Sequence, residues 1–182
     1  GLNQIDGVLA DLGVSSHQID AAARGFSTRY DGPLDMRMNY SSGKTAADVV
    51  NTYDEQALHK VFGMYGEIKN ARTAARLVLA KRIQPIRTTF DLKNALNEIA
   101  PRGKENKWYA QVFQALRIEV NDELKALEEF LMQCVQVIRP GGRLVIMSYH
   151  SLEDRMVKNF INTGKIYGDV EKDFFGNQDN TR

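Results

Sequence analysis

Ile5 to Val14, IDGVLADLGV, is the stretch whose reading decides the fold of this chain. It is short and mostly apolar, and it runs through Gly13 into Ser15 and Ser16, the pattern of a buried strand entering a loop. Arg143 to Tyr149, RLVIMSY, has the same character and follows the breaker Arg139-Pro140-Gly141-Gly142. Ser151, with Asp154 three residues on, then opens a helix whose apolar face is Met156, Val157, Phe160 and Ile161. Between the two strands the periodicity is helical. Strand, helices, long helix, strand, helix predicts an α/β fold with a parallel sheet, in which a crossover can carry inserted material without disturbing the strands. A domain that opens on a buried strand needs sheet neighbours, so Ile5–Val14 is either an edge or a later strand of a longer protein.

Outward from the first strand, Gln18 to Ala23 predicts a short helix closed by Gly25. Phe26 to Met38, FSTRYDGPLDMRM, is a loop turning at Asp31-Gly32-Pro33. From Lys44 to about Ile99 the sequence reads as an all-helical block with three S/T-x-x-D/E starts: Thr45 with Asp48, Thr52 with Glu55, and Thr88 with Asp91. Its third helix, about Glu67 to Ile83, puts Ile68, Ala71, Ala75 and Leu79 on one face and Lys69, Arg72 and Arg76 beside it. Taken alone, such a basic run is a solvated face. Pro101 to Lys107 is a polar linker. Trp108 to Ile138 reads as one long helix, because Val112, Leu116, Val120, Leu124, Leu127, Leu131 and Val135 recur at helical spacing. After Asn162 the chain turns polar and Gly-rich, with a short strand expected near Tyr167–Val170.

Composition narrows the function. The chain has 182 residues with 43% hydrophobic residues, enough for a substantial core. No stretch approaches the roughly 18 apolar residues of a membrane span, and the first residues lack a secretory pattern, so a soluble chain is expected. Cys134 stands alone, which excludes intramolecular disulfides and cysteine-cluster zinc sites. Twenty-four Lys and Arg against 23 Asp and Glu give +1, so any nucleic-acid role must rest on where the charges sit.

Open parallel sheets bind ligands beyond the carboxyl ends of their strands. Here those ends are Asp11-Leu12-Gly13-Val14-Ser15-Ser16-His17-Gln18 and Ser148-Tyr149-His150-Ser151-Leu152-Glu153-Asp154-Arg155. Asp11, Ser15 and His150 are the catalytic candidates. Each also has a plainer reading: a turn acid, a helix cap, a packed histidine. Gly-x-Gly-x-x-Gly, Walker A, zincin and nucleophile-elbow patterns are all absent, and no metal site is read from the sequence. A Ser/His hydrolase is disfavoured for want of an elbow and a spaced acid.

Four motifs carry a more specific reading: DGVLADLGVSSHQID (Asp6–Asp20), RGFSTRYDGPLDMRM (Arg24–Met38), FQALRIEVNDEL (Phe113–Leu124) and PGGRLVIMSYHSLEDRMVK (Pro140–Lys158). In this order they resemble the bacterial small-subunit ribosomal RNA cytosine-N4 methyltransferases. The resemblance covers most of residues 6 to 160 and implies a partial Rossmann-like methyltransferase parallel sheet with an inserted all-helical domain. The expected division is 1–42 and 108–163 for the methyltransferase part, 43–107 for the helical insertion and 164–182 for a flexible loop or tail. The family's Gly-rich loop, ribose acid and adenine contact precede the DLGVSS motif and are not in this sequence, so an internal piece of a longer protein is expected. Lys107–Val112, KWYAQV, departs from the family's usual run before Phe-Gln-Ala.

The resemblance implies S-adenosyl-L-methionine as cofactor, with Asp11 and Gln18 at cofactor-binding positions, and small-subunit ribosomal RNA or the assembled small subunit as partner. It implies a cytoplasmic enzyme with no membrane partner, and leaves a homodimer open. An exocyclic amine is a weak nucleophile, so rate must come from alignment and from acceptors for its hydrogens. Asp11 and the Gly13–Ser15 and Ser148–Ser151 backbones and side chains are the acceptors available. RNA is read as an exposed base plus backbone charge contacts, which gives Arg24, Arg29, Arg37, Lys69, Arg72 and Arg76 a role in RNA binding. The competing reading is a non-catalytic RNA-binding or ribosome-assembly module in which the α/β part is only a scaffold.

Overall fold

The computed structural model describes residues 4–41 and 43–167. The described residues of Gly1–Gly13 and Leu124–Arg182 form one compact unit, and those of Val14–Glu123 form another.

The first unit is built on two parallel strands, β1 (Ile5–Asp11) and β2 (Ile138–Met147). Gly7 pairs with Arg143 and the register runs unbroken to Asp11 opposite Met147, so both strands reach their carboxyl ends side by side. Ahead of Gly7 the ladder slips, with Ile5 opposite Ile138, and the Pro140-Gly141-Gly142 run is absorbed as a bulge with Gly141 at φ 80°. The sequence therefore starts β2 earlier than its apolar run alone suggests. Leu144 and Ile146 turn towards Leu127, Leu131, Met156 and Val157 of helices α7 (Glu123–Val137) and α8 (Ser151–Thr163). The alternate residues face the other way: Leu9 is 70% and Val145 50% exposed.

The second unit is helical: α1 (Ser16–Asp20), α2 (Ala46–Thr52), α3 (Glu55–Lys60), α4 (Ala71–Lys81), α5 (Thr89–Leu96) and α6 (Glu105–Asn121). Its core joins Val49, Val50, Leu58, Phe62, Val78, Leu92, Leu96, Val112 and Leu116 with Leu34 and Met36 of the Phe26–Met38 loop. Thr45 and Thr88 each accept a hydrogen bond from the backbone N–H three residues on, while Asp48 and Asp91 accept from the caps' own N–H, so both capping boxes form as expected.

Four local expectations are corrected. Thr52 ends α2, and α3 is capped by Asp54, whose carboxylate accepts from the Ala57 N–H at 2.7 Å; an acid at the start outcompetes a threonine that already bonds back to the Asp48 carbonyl. The third helix begins at Ala71 rather than Glu67, because Glu67 is left-handed at φ 50° and Asn70 is held by the Ile99 carbonyl and the Trp108 indole N–H. It ends before Ile83, which is 88% exposed. The long helix is two, α6 and α7, broken at Asp122 with φ 49°. Asp tolerates that conformation better than most residues, and the Arg117 guanidinium grips both oxygens of Glu123 at 2.8 and 3.0 Å across the break. The apolar stripe continues through it because its two halves serve two cores: Val112, Leu116 and Val120 the helical one, and Leu124, Leu127 and Leu131 the sheet unit. Finally, His150 rather than Ser151 caps α8.

The compact units also divide the chain differently from the expected 1–42 with 108–163 against 43–107. The Phe26–Met38 loop packs with the helices: Leu34 N–H donates to the Arg87 carbonyl, Thr89 N–H to the Gly32 carbonyl, and Asn121 holds Met36 and Met38. Most of the expected strand at Tyr167–Val170, and the tail beyond it, lie outside the described residues.

Candidate functional site

Side-by-side strand ends place Asp11 next to the chain that leaves β2, and here the sheet unit gathers its polar chemistry. The Tyr149 hydroxyl donates to Asp11 Oδ1 at 2.7 Å. That bond, with the negative charge behind it, pushes the phenol above its ordinary pKa and keeps it a donor at neutral pH. Asp11 Oδ2 makes no hydrogen bond among the described residues, so an exposed strand-end carboxylate has one oxygen fixed and one available.

His150 is not on that surface. Its side chain is buried, its Nδ1 accepts from the Glu153 N–H at 3.5 Å, and its Nε2 lies 3.2 Å from Glu153 Oε1, off the line of a good hydrogen bond. Glu153 is 3% exposed, and its other oxygen accepts from the Tyr149 N–H at 3.4 Å. The histidine expected at the reaction centre is thus packed against a buried glutamate that the sequence reading passed over. The signal was there: Glu153 lies three residues after the cap, where helix starts place an acid.

In the helical unit Ser15 caps α1 and is spent on Gln18. Its hydroxyl accepts from the Gln18 N–H at 3.4 Å, and Gln18 Oε1 accepts from the Ser15 N–H at 2.9 Å. The plain capping reading of Ser15 therefore accounts for its contacts. Gln18 keeps its amide Nε2 as an uncommitted donor among the described residues.

The six basic residues separate by environment. Arg24 lies 4.3 Å over the Tyr40 ring and donates to the Arg37 carbonyl at 2.7 Å, which ties the loop together. Arg37 forms a fork with Asp35 at 2.9 Å to each oxygen. Burial alone would raise the Asp35 pKa, but the Arg37 bonds and charge outweigh it and hold the carboxyl below its usual range. Arg72 and Arg76 both reach Glu55 Oε1, at 3.3 and 2.9 Å, and lie exposed on α4. Arg29 and Lys69 are exposed and form no ion pair among the described residues; Lys69 precedes α4 rather than sharing its face. The helical unit also holds a half-buried cluster with no counterpart in the sequence reading. There the Lys44 ammonium bonds Tyr53 and Glu119, 2.8 Å from the latter, and those partners raise its pKa against the opposing effect of burial.

Residues 1–175 match the model of the MraW methylase family. Relatives include the ribosomal RNA small subunit methyltransferase H of Cytophaga hutchinsonii, 60% identical over 97% of this chain and 60% of its own length. The proteins of that name from Amoebophilus asiaticus and Parabacteroides distasonis are each 56% identical, over 97% and 96% of this chain and 57% of their own length. The chain thus spans somewhat under two thirds of the relatives it matches.

Proposed function

The chain belongs to the MraW methylase family, and from that membership and the strand-end carboxylate we propose that the whole protein transfers a methyl group from S-adenosylmethionine to the exocyclic N4 of a cytidine in small-subunit ribosomal RNA, in the cytoplasm. The observation that carries the reading is Asp11: an exposed acid at the carboxyl end of β1, with one oxygen occupied by Tyr149 and the other available.

That donor set fits the cofactor and the amine. When bound, S-adenosylmethionine supplies a methyl group on a cationic sulfur, so no metal is needed to activate it. Asp11 Oδ2 offers a charged acceptor for a ligand hydroxyl or amine hydrogen, and Gln18 Nε2 offers a donor to a ligand oxygen. An acceptor on the cytosine amine draws its lone pair out of ring conjugation, and a fixed geometry replaces the entropy of a chance encounter. Arg29, Lys69 and the α4 pair Arg72 and Arg76 are the cations with surface to offer a phosphate backbone; Arg24 and Arg37 shape the loop. This reading treats the sheet unit as the seat of methyl transfer and the helical unit as the side that meets RNA.

The test uses the full-length protein with purified small subunits and with protein-free small-subunit RNA. Nucleoside mass spectrometry should detect N4-methylcytidine that depends on both enzyme and cofactor. Asp11→Ala should lower the rate by at least about 100-fold with the melting temperature unchanged, the scale expected for losing an aligned charged acceptor. A wild-type protein that binds small-subunit RNA but transfers no methyl group would return the reading to a non-catalytic assembly module.

A further inference from the structure

The sequence reading assigned Tyr149 no role of its own, yet it is the residue on which the strand-end geometry converges. Its ring is 71% exposed at the carboxyl end of β2, and its hydroxyl is spent on the Asp11 carboxylate of the neighbouring strand at 2.7 Å. A bond between two exposed side chains contributes little to folding, because water competes for both partners. The backbone beneath it is held at a cost. The Tyr149 N–H ends on Glu153, a carboxylate 3% exposed, whose second oxygen faces the buried His150 imidazole and whose own N–H is capped by that same ring. Burying a carboxylate is unfavourable unless its oxygens are occupied. Two buried polar side chains thus fix the one turn that carries an exposed tyrosine to an exposed aspartate. That expenditure has no return in core packing, and it has one in alignment.

We propose that Tyr149 is a positioning residue that fixes the Asp11 carboxylate, so that Oδ2 meets the ligand, and that His150 and Glu153 form the buried brace of Tyr149 rather than acting on substrate. The inference rests on the methyltransferase reading above. It assigns His150 a structural part in the site: with Nδ1 filled by a backbone N–H and the ring buried, the imidazole has no exposed lone pair for a substrate proton.

The experiment compares full-length wild type, Tyr149→Phe, Asp11→Asn and the double variant by calorimetric titration with S-adenosylmethionine and by single-turnover methyl transfer to small subunits. Tyr149→Phe keeps the ring and removes only the hydroxyl. It should weaken cofactor binding or slow transfer by about tenfold in total, the effect of one charge-assisted hydrogen bond, with the melting temperature and the KM for the small subunit within about twofold of wild type. In the Asp11→Asn background the same change should cost less than about twofold, because the carboxylate it orients is gone. His150→Asn, which can still cap the Glu153 N–H, should retain most of the activity, as a proton-transferring imidazole could not. The inference is overturned if Tyr149→Phe matches wild type in both assays, if its effect is undiminished beside Asp11→Asn, or if His150→Asn abolishes transfer while binding cofactor normally. A wild-type protein that binds no S-adenosylmethionine overturns the underlying reading instead, and is told apart because the failure precedes any substitution.

Discussion

Replacing Asn121 by alanine should destabilise the helical unit by more than any surface feature of the site suggests. In the last turn of α6 its Nδ2 donates to the Met36 carbonyl at 2.8 Å and to the Arg117 carbonyl at 2.9 Å, while Oδ1 accepts from the Met38 N–H at 2.7 Å. Met36 is fully buried and sits at φ 61°, a left-handed conformation that a side chain adopts only under restraint. Its N–H is held by the Arg24 carbonyl and its carbonyl by Asn121, so alanine removes half of that restraint. Leaving the Met36 carbonyl and the Met38 N–H without these partners costs about 1–3 kcal/mol each; Met38 is only half-buried and water can reach it, so about 2–4 kcal/mol is expected in total. At about 2–4 °C per kcal/mol for a protein of this size, the thermal midpoint should fall by roughly 5–15 °C. Urea denaturation followed by circular dichroism gives the free energy directly. Asn121→Asp is the informative partner: it keeps an acceptor for Met38 but sets a carboxylate against the Met36 carbonyl, and should be at least as damaging. A loss below about 0.5 kcal/mol for Asn121→Ala would refute the argument, since the loop would then be held by its apolar contacts alone.

Two further expectations concern charge. Glu55 neutralises Arg72 and Arg76 on α4, which hold its carboxyl below the usual range. Glu55→Gln should therefore tighten binding to small-subunit RNA and steepen the dependence of log affinity on log salt by up to about 0.7–0.9 for each phosphate contact released, while Arg72→Gln with Arg76→Gln should flatten it. Titrations at several salt concentrations read both slopes, and identical slopes in all variants would mean that α4 does not meet RNA. Asp35 is held below the ordinary carboxylate range by Arg37, so its stabilising effect is full above that range and fades as pH falls through it. Asp35→Asn should thus be less stable than wild type at pH 7, with the difference closing below about pH 4; denaturation midpoints across pH 3–7 check this, and a pH-independent gap would count against the ion pair.

Much of the framework was already legible along the chain, because it depends on neighbours a few residues apart. Apolar runs bounded by glycine fix β1 and β2 and their parallel arrangement, and threonine with an acid three residues on fixes two helix starts. Family membership follows from the order of four motifs, DLGVSS among them. What only the tertiary structure decided depends on residues far apart or on a single backbone angle. Periodicity carries the stripe of Val112 to Leu131 straight through Asp122, since one left-handed residue changes direction without changing spacing. Arg24, Arg37, Arg72 and Arg76 look alike in sequence, yet a carbonyl, Asp35 and Glu55 claim them, while Arg29 and Lys69 stay open to solvent. The exchange of roles at the strand ends has the same origin. Asp11 and Tyr149 are 138 residues apart and meet only because two strands end in register, whereas His150 is drawn under the surface by a glutamate on the next helical turn. A sequence names the residue types that chemistry can use; which of them faces a ligand is settled by the partners that burial has already assigned.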